Sequence, residues 1–143
     1  MKHQVVPTVN VYVIKANKLL LGRRQNTGWM DGWLCPPGGH VEAGETPTVS
    51  MVREIEEELG VSVKPEDLEF LCVAARNNPK EEHVAYEFVI RDKNYEFINA
   101  EPDMCSELVW VDIYDPPKEV IEDFKQIIQQ SLVGGKNYLE IGY

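Results

Sequence analysis

Three glutamates, Glu54, Glu57 and Glu58, lie at spacings that bring their carboxylates to one side of a helix. Like charges at these spacings repel by roughly 0.2–0.5 kcal/mol per pair. The cluster also lies near the helix C-terminus, where the helix dipole disfavours anions by roughly 0.3–1 kcal/mol each. A bound cation would offset both effects. Carboxylates without nearby His or Cys suit hard ions, so the cluster indicates a site for Mg²⁺, for which Mn²⁺ can substitute. The alternative is an acidic face in contact with solvent.

The helix that carries these glutamates has clear end signals. Thr46 offers a capping hydroxyl, Pro47 is favoured at the first helical position, and Gly60 suits a C-terminal stop. We therefore predict a helix over Pro47–Leu59. Apolar side chains are expected to gather on the opposite, packing face: Val49, Met51, Val52, Ile55 and Leu59.

The other elements alternate between strands and loops. Strands are predicted over residues 5–14, 18–21, 33–35, 68–75, 84–91 and 108–113. Residues 25–45 hold five glycines and two prolines, which predicts loops broken by little more than the short strand at 33–35. A last helix is predicted from near Pro117, because apolar residues recur at helical spacing as far as Leu132.

A longer pattern surrounds the glutamates. Read from Gly39, the sequence fits G-x5-E-x7-R-E-U-x-E-E-x-G-U, in which U is aliphatic, at every position over 23 residues. A chance match of nine specified positions has a probability below roughly one in a million. The chain therefore resembles the Nudix (MutT-like) hydrolases. This resemblance implies an α/β (α+β) fold, an α/β/α sandwich with a mixed β-sheet between helices, as a single domain over residues 1–143.

The resemblance also implies an activity, the hydrolysis of a nucleoside diphosphate linked to another moiety. Our first choice is a Mg²⁺-dependent nucleoside triphosphate pyrophosphohydrolase that yields a nucleoside monophosphate and pyrophosphate. The alternatives are a hydrolase of nucleoside diphosphate sugars or other diphosphate conjugates, and a module that senses a nucleotide without cleaving it. The intact glutamates count against the sensing module.

The resemblance assigns roles to residues inside the matched segment. Glu57 or Glu54 would take a proton from the attacking water, and Glu45 would pair with Arg53 to brace the loop that contains Gly39. The implied metal ligands are the three glutamates and one backbone carbonyl: Glu54, Glu57, Glu58 and Gly38.

Family members often recruit one more carboxylate from a loop outside this segment. Residues 99–107, just before a predicted strand, are the place to look. Glu101 is our choice as a further catalytic carboxylate. Glu107 and Asp103 are the alternatives, together with the possibility that all three only decorate an exposed loop.

Substrate contacts are expected from the segment that follows the second strand. Arg23 and Arg24 can bind phosphate oxygens, although a solvent-exposed strand end is an equal alternative. Trp29 and Trp33 can stack on a nucleobase or pack beneath the loop. We leave His83 out of the site, because a lone histidine is more often structural.

The composition limits the partners that are expected. A formal net charge of −10 disfavours binding to nucleic acids and anionic membrane surfaces. Three widely spaced cysteines, without a C-x-x-C pair, suggest reduced thiols in a cytoplasmic protein. We expect a small-molecule nucleotide as the partner and either a monomer or a homodimer.

Overall fold

A mixed β-sheet, flanked by a helix on each face, organises the computed structural model, which describes residues 1–91 and 94–143. This architecture confirms the predicted mixed α/β fold. The helices are α1 (Pro47–Leu59) and α2 (Glu122–Ile127), the latter continued by a π-helical segment, Ile128–Val133. A 3₁₀ turn covers Pro65–Asp67. The strands are β1 (Val6–Lys15), β2 (Lys18–Arg24), β3 (Leu34–Cys35), β4 (Gly38–His40), β5 (Glu69–Asn77), β6 (Glu82–Arg91), β7 (Cys105–Asp112) and β8 (Tyr138–Ile141).

The strand order is β3-β2-β1-β6-β5-β8, with β4 beside β1 and β7 beside β2. The β1–β6 and β5–β8 pairs are parallel, whereas β1–β2, β1–β4, β2–β3, β2–β7 and β5–β6 are antiparallel. Because β2 pairs with only the last residues of β1, β4 pairs with Thr8, Val9 and Asn10 on the same edge of β1. This arrangement brings a glycine-rich strand to the middle of the sheet.

The two faces of the sheet carry separate cores, as the period of two along a strand requires. On β1, Val9 and Val11 belong to the core that contains α1 residues, whereas Tyr12 and Ile14 belong to the core that contains α2 residues. We refer to these as the α1 face and the α2 face. None of the helices in the described part of the chain has the length and apolar composition to span a bilayer.

Helix α1 has the predicted bounds, and its caps are formed as expected. The Thr46 hydroxyl accepts a hydrogen bond from the Val49 N–H at 3.2 Å, and Gly60 adopts a left-handed φ of 70°. The predicted packing face is partly wrong, because Val49 is 54% exposed whereas Ser50 is buried.

Helix α2 begins five residues later than predicted. Residues 119–121 pair with β3 instead: Leu34 donates its N–H to the Glu119 carbonyl, and Ile121 donates to the Leu34 carbonyl. Ile121 is extended, with a φ of −56° and a ψ of 133°. The sheet contact therefore outweighs the helical periodicity of this segment.

Two strands were not predicted from the sequence. Strand β4 lies within the glycine-rich segment that we expected to be loop, and its signal is hidden because two of its three residues are glycines. Strand β8 follows the last predicted element. The sequence signal that could have revealed it is the placement of the charged Glu140 between the apolar Leu139 and Ile141, both of which are buried.

Candidate active site

Strand β4 passes so close to its neighbours that a Cβ at either of its two glycines would clash with them. A Cβ on Gly38 would lie 2.1 Å from the Val9 carbonyl oxygen, and one on Gly39 would lie 2.2 Å from Oε1 of Glu54. Contacts this short do not occur between real atoms. The glycines therefore allow α1 to place the Glu54 carboxylate directly against the backbone of β4.

A bidentate ion pair fixes the loop between β4 and α1. The Arg53 Nε donates to Glu45 Oε2 at 2.7 Å, and Arg53 Nη2 donates to Glu45 Oε1 at 3.0 Å. The Glu42 N–H also donates to Glu45, at 2.8 Å. Hydrogen bonding by Arg53, helped by the Glu42 N–H, lowers the pKa of Glu45 to about 2. The pair therefore remains charged at neutral pH.

The same guanidinium extends from the loop to the acidic face of α1. Arg53 Nη1 lies 3.0 Å from Glu54 Oε1 and 3.3 Å from Glu57 Oε2, and Arg53 Nη2 donates to the His40 carbonyl at 3.1 Å. The Glu57 side chain is 50% exposed, whereas that of Glu54 is 12% exposed. Arg53 thus links the loop, strand β4 and two of the three predicted ligands.

Glu58 occupies the most buried position of the cluster. Burial, followed by the charges of Glu54 and Glu101, raises its pKa to about 9, and the N–H of Gly38 partly counteracts this rise. Its Oε2 atom is buried and has no hydrogen-bond partner in residues 1–91 and 94–143. The pKa of Glu54 is also raised, chiefly by burial, although Arg53 opposes that shift. Because the pKa values of both Glu54 and Glu58 are raised, a positive charge bound between these two carboxyl groups would be strongly favoured.

These oxygen donors fit a hard divalent cation, because an orphaned buried carboxylate oxygen next to further carboxylates is the donor set that such ions prefer. Across residues 1–91 and 94–143, however, no three His, Cys, Asp or Glu side chains are already gathered as a metal cage. Glu57 faces Arg53 instead. To bind a cation together with Glu54 and Glu58, Glu57 would have to give up its contact with Arg53.

The three loop carboxylates differ in position. Glu101 shares a cavity with Glu58 and raises the pKa of both Glu58 and Glu54. Glu107 instead forms an ion pair with Arg23, with Nε 2.9 Å from Oε1. Asp103 is exposed, and its backbone carbonyl accepts a hydrogen bond from Asn26. Only Glu101 of the three faces the acidic cluster.

Two cavities meet at Glu58. The first, of about 210 Å³, lies against the loop that precedes β7, and we call it the loop-side cavity; Arg24 and Glu101 are among its lining residues. The second, of about 300 Å³, lies over the α2 face, and we call it the sheet-face cavity; it runs from Gly38 and Gly39 to Lys80. Glu58 and Arg24 line both. A ligand can therefore occupy both sides of the acidic cluster at once.

The four residues expected to bind substrate are not all in these cavities. Arg24 lines both, and its guanidinium lies 4.9 Å from the centre of the Trp29 ring, which lines the sheet-face cavity and also packs against the core. Arg23 lines the loop-side cavity, but it is engaged with Glu107 and the Gly32 carbonyl. Trp33 is 40% exposed and is not among the lining residues of either cavity.

Sequence reasoning missed the polar residues of the sheet-face cavity. Thr8 and Asn10 are almost completely buried on β1, Arg76 is 5% exposed on β5, and His83 on β6 lines the same cavity. The available signal was the alternation of Thr8 and Asn10 with valines in a strand that is otherwise apolar. Of these residues, Thr8 and His83 each have a buried atom, Oγ1 and Nδ1, with no hydrogen-bond partner among the described residues. Such a group costs about 1–3 kcal/mol, so its presence in a core strand indicates a functional reason.

Beneath this cavity lies a fully buried carboxyl group. Glu87 accepts a hydrogen bond from Asn10 Nδ2 at 3.1 Å. Burial raises the pKa of Glu87 to about 7, against the opposing influences of Arg76, Asn10 and Tyr12. The guanidinium of Arg76 is also paired with Asp123, 3.0 Å away. The native state therefore retains a proton on Glu87 that the unfolded chain loses near its ordinary value of 4.5.

This difference makes the stability of the protein depend on pH. Because the native state binds the proton more tightly, the free energy of unfolding falls as the pH rises from 4.5 towards 7. The variant Glu87→Gln lacks this ionisation. As the pH rises from 5 to 8, we expect the free energy of unfolding of this variant to increase by about 2–3 kcal/mol relative to that of wild type. Urea unfolding at each pH measures this difference. Glu140→Gln, an exposed substitution on β8, is the control and should show no such gain; an equal pH response in all three proteins would contradict the prediction.

The pattern that led to these residues also matches a described protein family. The sequence profile of the NUDIX domain matches residues 5–130. The chain belongs to the NUDIX family. The resemblance inferred from Gly39 to Val61 is thereby confirmed.

Relatives within the NUDIX family carry several names. Over 82 residues the chain is 34% identical to an ADP-ribose pyrophosphatase of Methanocaldococcus jannaschii. The aligned segment is 57% of this chain and 48% of that protein. Over 62 residues it is 39% identical to an RNA pyrophosphohydrolase of Francisella tularensis subsp. mediasiatica. That aligned segment is 43% of this chain and 36% of the relative. The matches thus span half or less of the length of these relatives.

A solved NUDIX structure agrees over nearly the whole fold. A MutT NUDIX hydrolase from Burkholderia pseudomallei superimposes with a TM-score of 0.79 at 25% identity, over 90% of this chain and 98% of that one. The agreement confirms the NUDIX fold as a mixed sheet between helices.

Proposed function

We propose that this NUDIX protein is a metal-dependent hydrolase of diphosphate bonds. The substrates that we propose first are nucleoside triphosphates, and the products are a nucleoside monophosphate and pyrophosphate. The observation that carries this proposal is the buried carboxyl group of Glu58, whose Oε2 has no hydrogen-bond partner among the described residues and which lies beside Glu54 at the junction of the two cavities. The names of both relatives describe pyrophosphate-bond hydrolysis, which supports the same reaction class.

The residues that would hold the metal are those of the acidic cluster and the neighbouring strand: Glu54, Glu57, Glu58 and the carbonyl of Gly38. A bound Mg²⁺ or Mn²⁺ would neutralise phosphate oxygens and promote attack by water. The geometry supports this assignment through the close approach of β4 to Glu54, and through the raised pKa values of Glu54 and Glu58. Both shifts mean that positive charge at this point is strongly favoured.

The chain's own residues would position the reactants and move the proton. Glu57 is the most exposed of the three glutamates and is the proposed base, with Glu54 as the alternative. Arg53 holds both carboxylates from one side and so limits their motion. Arg24 faces both cavities and is the proposed partner of the phosphate groups.

Glu101 is the proposed further catalytic carboxylate, and this assignment can be tested against its neighbour Glu107. Replacing Glu101 by Gln removes a charge that faces Glu58, so we expect kcat to fall by roughly 10²-fold. The matched variant Glu107→Gln removes a carboxylate that pairs with Arg23 instead, and should keep kcat within about threefold of wild type. Steady-state kinetics on one substrate decide the matter, and equal losses in both variants would contradict the assignment.

A second candidate function is the hydrolysis of a nucleoside diphosphate conjugate, favoured by the ADP-ribose pyrophosphatase relative. A panel separates the candidates: the nucleoside triphosphates, ADP-ribose, nucleoside diphosphate sugars and a 5′-triphosphorylated RNA, each incubated with Mg²⁺ and analysed for products. The proposal expects turnover of triphosphates to monophosphate and pyrophosphate. Faster turnover of ADP-ribose would favour the second candidate. Preferred cleavage of the RNA would contradict the expectation that nucleic acids are not partners, which is based on the net charge of −10.

A further inference from the structure

The loop between β2 and β3 is organised around a single carboxylate. We call residues 25–32 the brace loop. The Asp31 carboxylate accepts hydrogen bonds from the hydroxyl and the N–H of Thr27 and, through its second oxygen, from the N–H of Gly28 at 3.1 Å. The hydrogen bond from the Thr27 hydroxyl lowers the pKa of Asp31, so this carboxylate remains charged at neutral pH. The brace loop is therefore held in shape by its own residues.

The first two residues of the brace loop bind a second loop, residues 99–105, which we call the Glu101 loop. Three consecutive carbonyls of the Glu101 loop accept hydrogen bonds from Gln25 and Asn26, namely those of Pro102, Asp103 and Met104. The side-chain donors Gln25 Nε2 and Asn26 Nδ2 lie 2.6 Å and 2.8 Å from their acceptors, and the Gln25 backbone N–H donates at 3.0 Å. Asn26 has a left-handed φ of 57°, which asparagine adopts more readily than most residues.

The Glu101 loop is anchored on its other side to the C-terminal end of α1. The N–H of Ala100 donates to the Glu58 carbonyl at 3.0 Å. The Glu101 carbonyl accepts hydrogen bonds from the N–H groups of Met104 and Cys105, both at 3.0 Å, and these bonds close the turn. Glu101 therefore lies between two anchors, with α1 before it and the brace loop after it.

Electrostatic repulsion opposes this placement of Glu101. The Glu101 side chain shares the loop-side cavity with Glu58. The pKa of Glu58 is raised first by burial and then by the charges of Glu54 and Glu101, so the three carboxyl groups repel one another when they are ionised. Hydrogen bonds that hold the Glu101 loop in place counteract this repulsion. Two of the three bonds from the brace loop come from side-chain amides, so substitution can remove them without altering the backbone.

We propose that Asn26 and Gln25 are positioning residues for Glu101. By holding the turn at residues 102–104, they keep the Glu101 carboxylate in the loop-side cavity beside the acidic cluster. This inference rests on the proposed catalytic role of Glu101. Neither Asn26 nor Gln25 is among the lining residues of either cavity, so both act through the Glu101 loop and not on the substrate.

The first readout is the structure of the metal-free protein, so that it does not depend on turnover. Asn26→Gly removes the side-chain donor but keeps a residue that accepts a left-handed φ. We expect the backbone N–H groups of Met104 and Cys105 to exchange with solvent at least about fivefold faster than in wild type, measured by NMR. Asn17→Gly is the matched control, because Asn17 also has a left-handed φ, of 62°, but lies in the turn at the other end of β2. It should leave both exchange rates unchanged.

The second readout is a double-mutant cycle with Glu101→Gln. When Glu101 is present, Asn26→Gly is expected to lower kcat by roughly tenfold, because it displaces a group at the reacting centre. Gln25→Met removes the other side-chain donor at similar length and should lower kcat in the same way. In the Glu101→Gln background there is no carboxylate to position, so Asn26→Gly should lower kcat by less than about twofold. A merely structural role would give the same loss in both backgrounds.

Several outcomes would overturn the inference. Unchanged exchange of the Met104 and Cys105 N–H groups in Asn26→Gly would show that the brace loop does not hold the turn. An equal loss of kcat with and without the Glu101 carboxylate, or the same loss in Asn17→Gly, would show that Asn26 does not act through Glu101. A wild-type protein that cleaves no diphosphate would instead disprove the proposed hydrolysis, and the exchange rates would still decide whether the brace loop holds the turn.

Discussion

Replacing Glu57 by Gln is expected to lower kcat by roughly 10³-fold while leaving the fold intact. The substitution preserves the size of the side chain but removes the charge that would hold metal and accept a proton. Because the side chain is half exposed and its ion pair with Arg53 is long, at 3.3 Å, we expect the free energy of unfolding to change by less than about 1 kcal/mol. Steady-state kinetics at saturating Mg²⁺, together with urea unfolding, measure both quantities.

Glu56→Gln is the matched control for this prediction. Glu56 precedes Glu57 on α1 and is exposed, so its replacement removes the same charge from the same helix without changing the proposed site. We expect its kcat to remain within about threefold of wild type. Undiminished turnover in Glu57→Gln, or an equal loss in both variants, would show that the assignment of Glu57 is wrong.

The second large effect is expected from Gly39→Ala. The new Cβ would lie 2.2 Å from Oε1 and 2.4 Å from Cδ of Glu54, so the carboxylate must move. That carboxylate is the end of a flexible side chain, and the backbone of Gly39 does not need a left-handed φ. We therefore expect a stability loss of less than about 1 kcal/mol but a fall in kcat of roughly 10²-fold, because a displacement of about 1 Å at a reacting centre has effects of this size.

Two other glycines provide the contrast. A Cβ at Gly38 would meet the backbone oxygen of Val9 at 2.1 Å, so Gly38→Ala should destabilise the fold itself. Gly135 has a φ of 81° and open space around it, so Gly135→Ala should cost roughly 1–2 kcal/mol of stability and leave kcat unchanged. If Gly39→Ala behaves like Gly135→Ala, the close approach of β4 to Glu54 has no catalytic importance.

The parts of the fold that were predictable are those with strong local signals. Helix α1 has a capping threonine, an N1 proline and a left-handed glycine stop, and its bounds follow from these residues alone. Helix α2 was predicted five residues too early, because the pairing of residues 119–121 with β3 is a long-range contact that leaves no local trace. Strand β4 was hidden for a related reason, since its glycines are explained by proximity to Val9 and Glu54 rather than by a turn.

The acidic cluster was predictable because its residues are close in sequence, whereas the sheet-face cavity was not. Thr8, Arg76 and His83 lie on three different strands, and only the sheet order brings them together. The placement of Glu101 is intermediate: its loop could be identified from the sequence, but the choice among three carboxylates depends on which one faces Glu58. Trp33 illustrates the same limit, because aromatic character alone does not determine whether a side chain lines a cavity.

The central claim is metal-assisted hydrolysis of a diphosphate bond at the cluster of Glu54, Glu57 and Glu58. The most direct test is to measure pyrophosphate and nucleoside monophosphate released from each nucleoside triphosphate, first with Mg²⁺, then with excess chelator, and finally after Mg²⁺ or Mn²⁺ is restored. We expect equimolar release of both products from at least one triphosphate, loss of turnover in chelator, and recovery with either metal. Turnover that persists in chelator, or tight binding of a triphosphate without any cleavage, would contradict the claim.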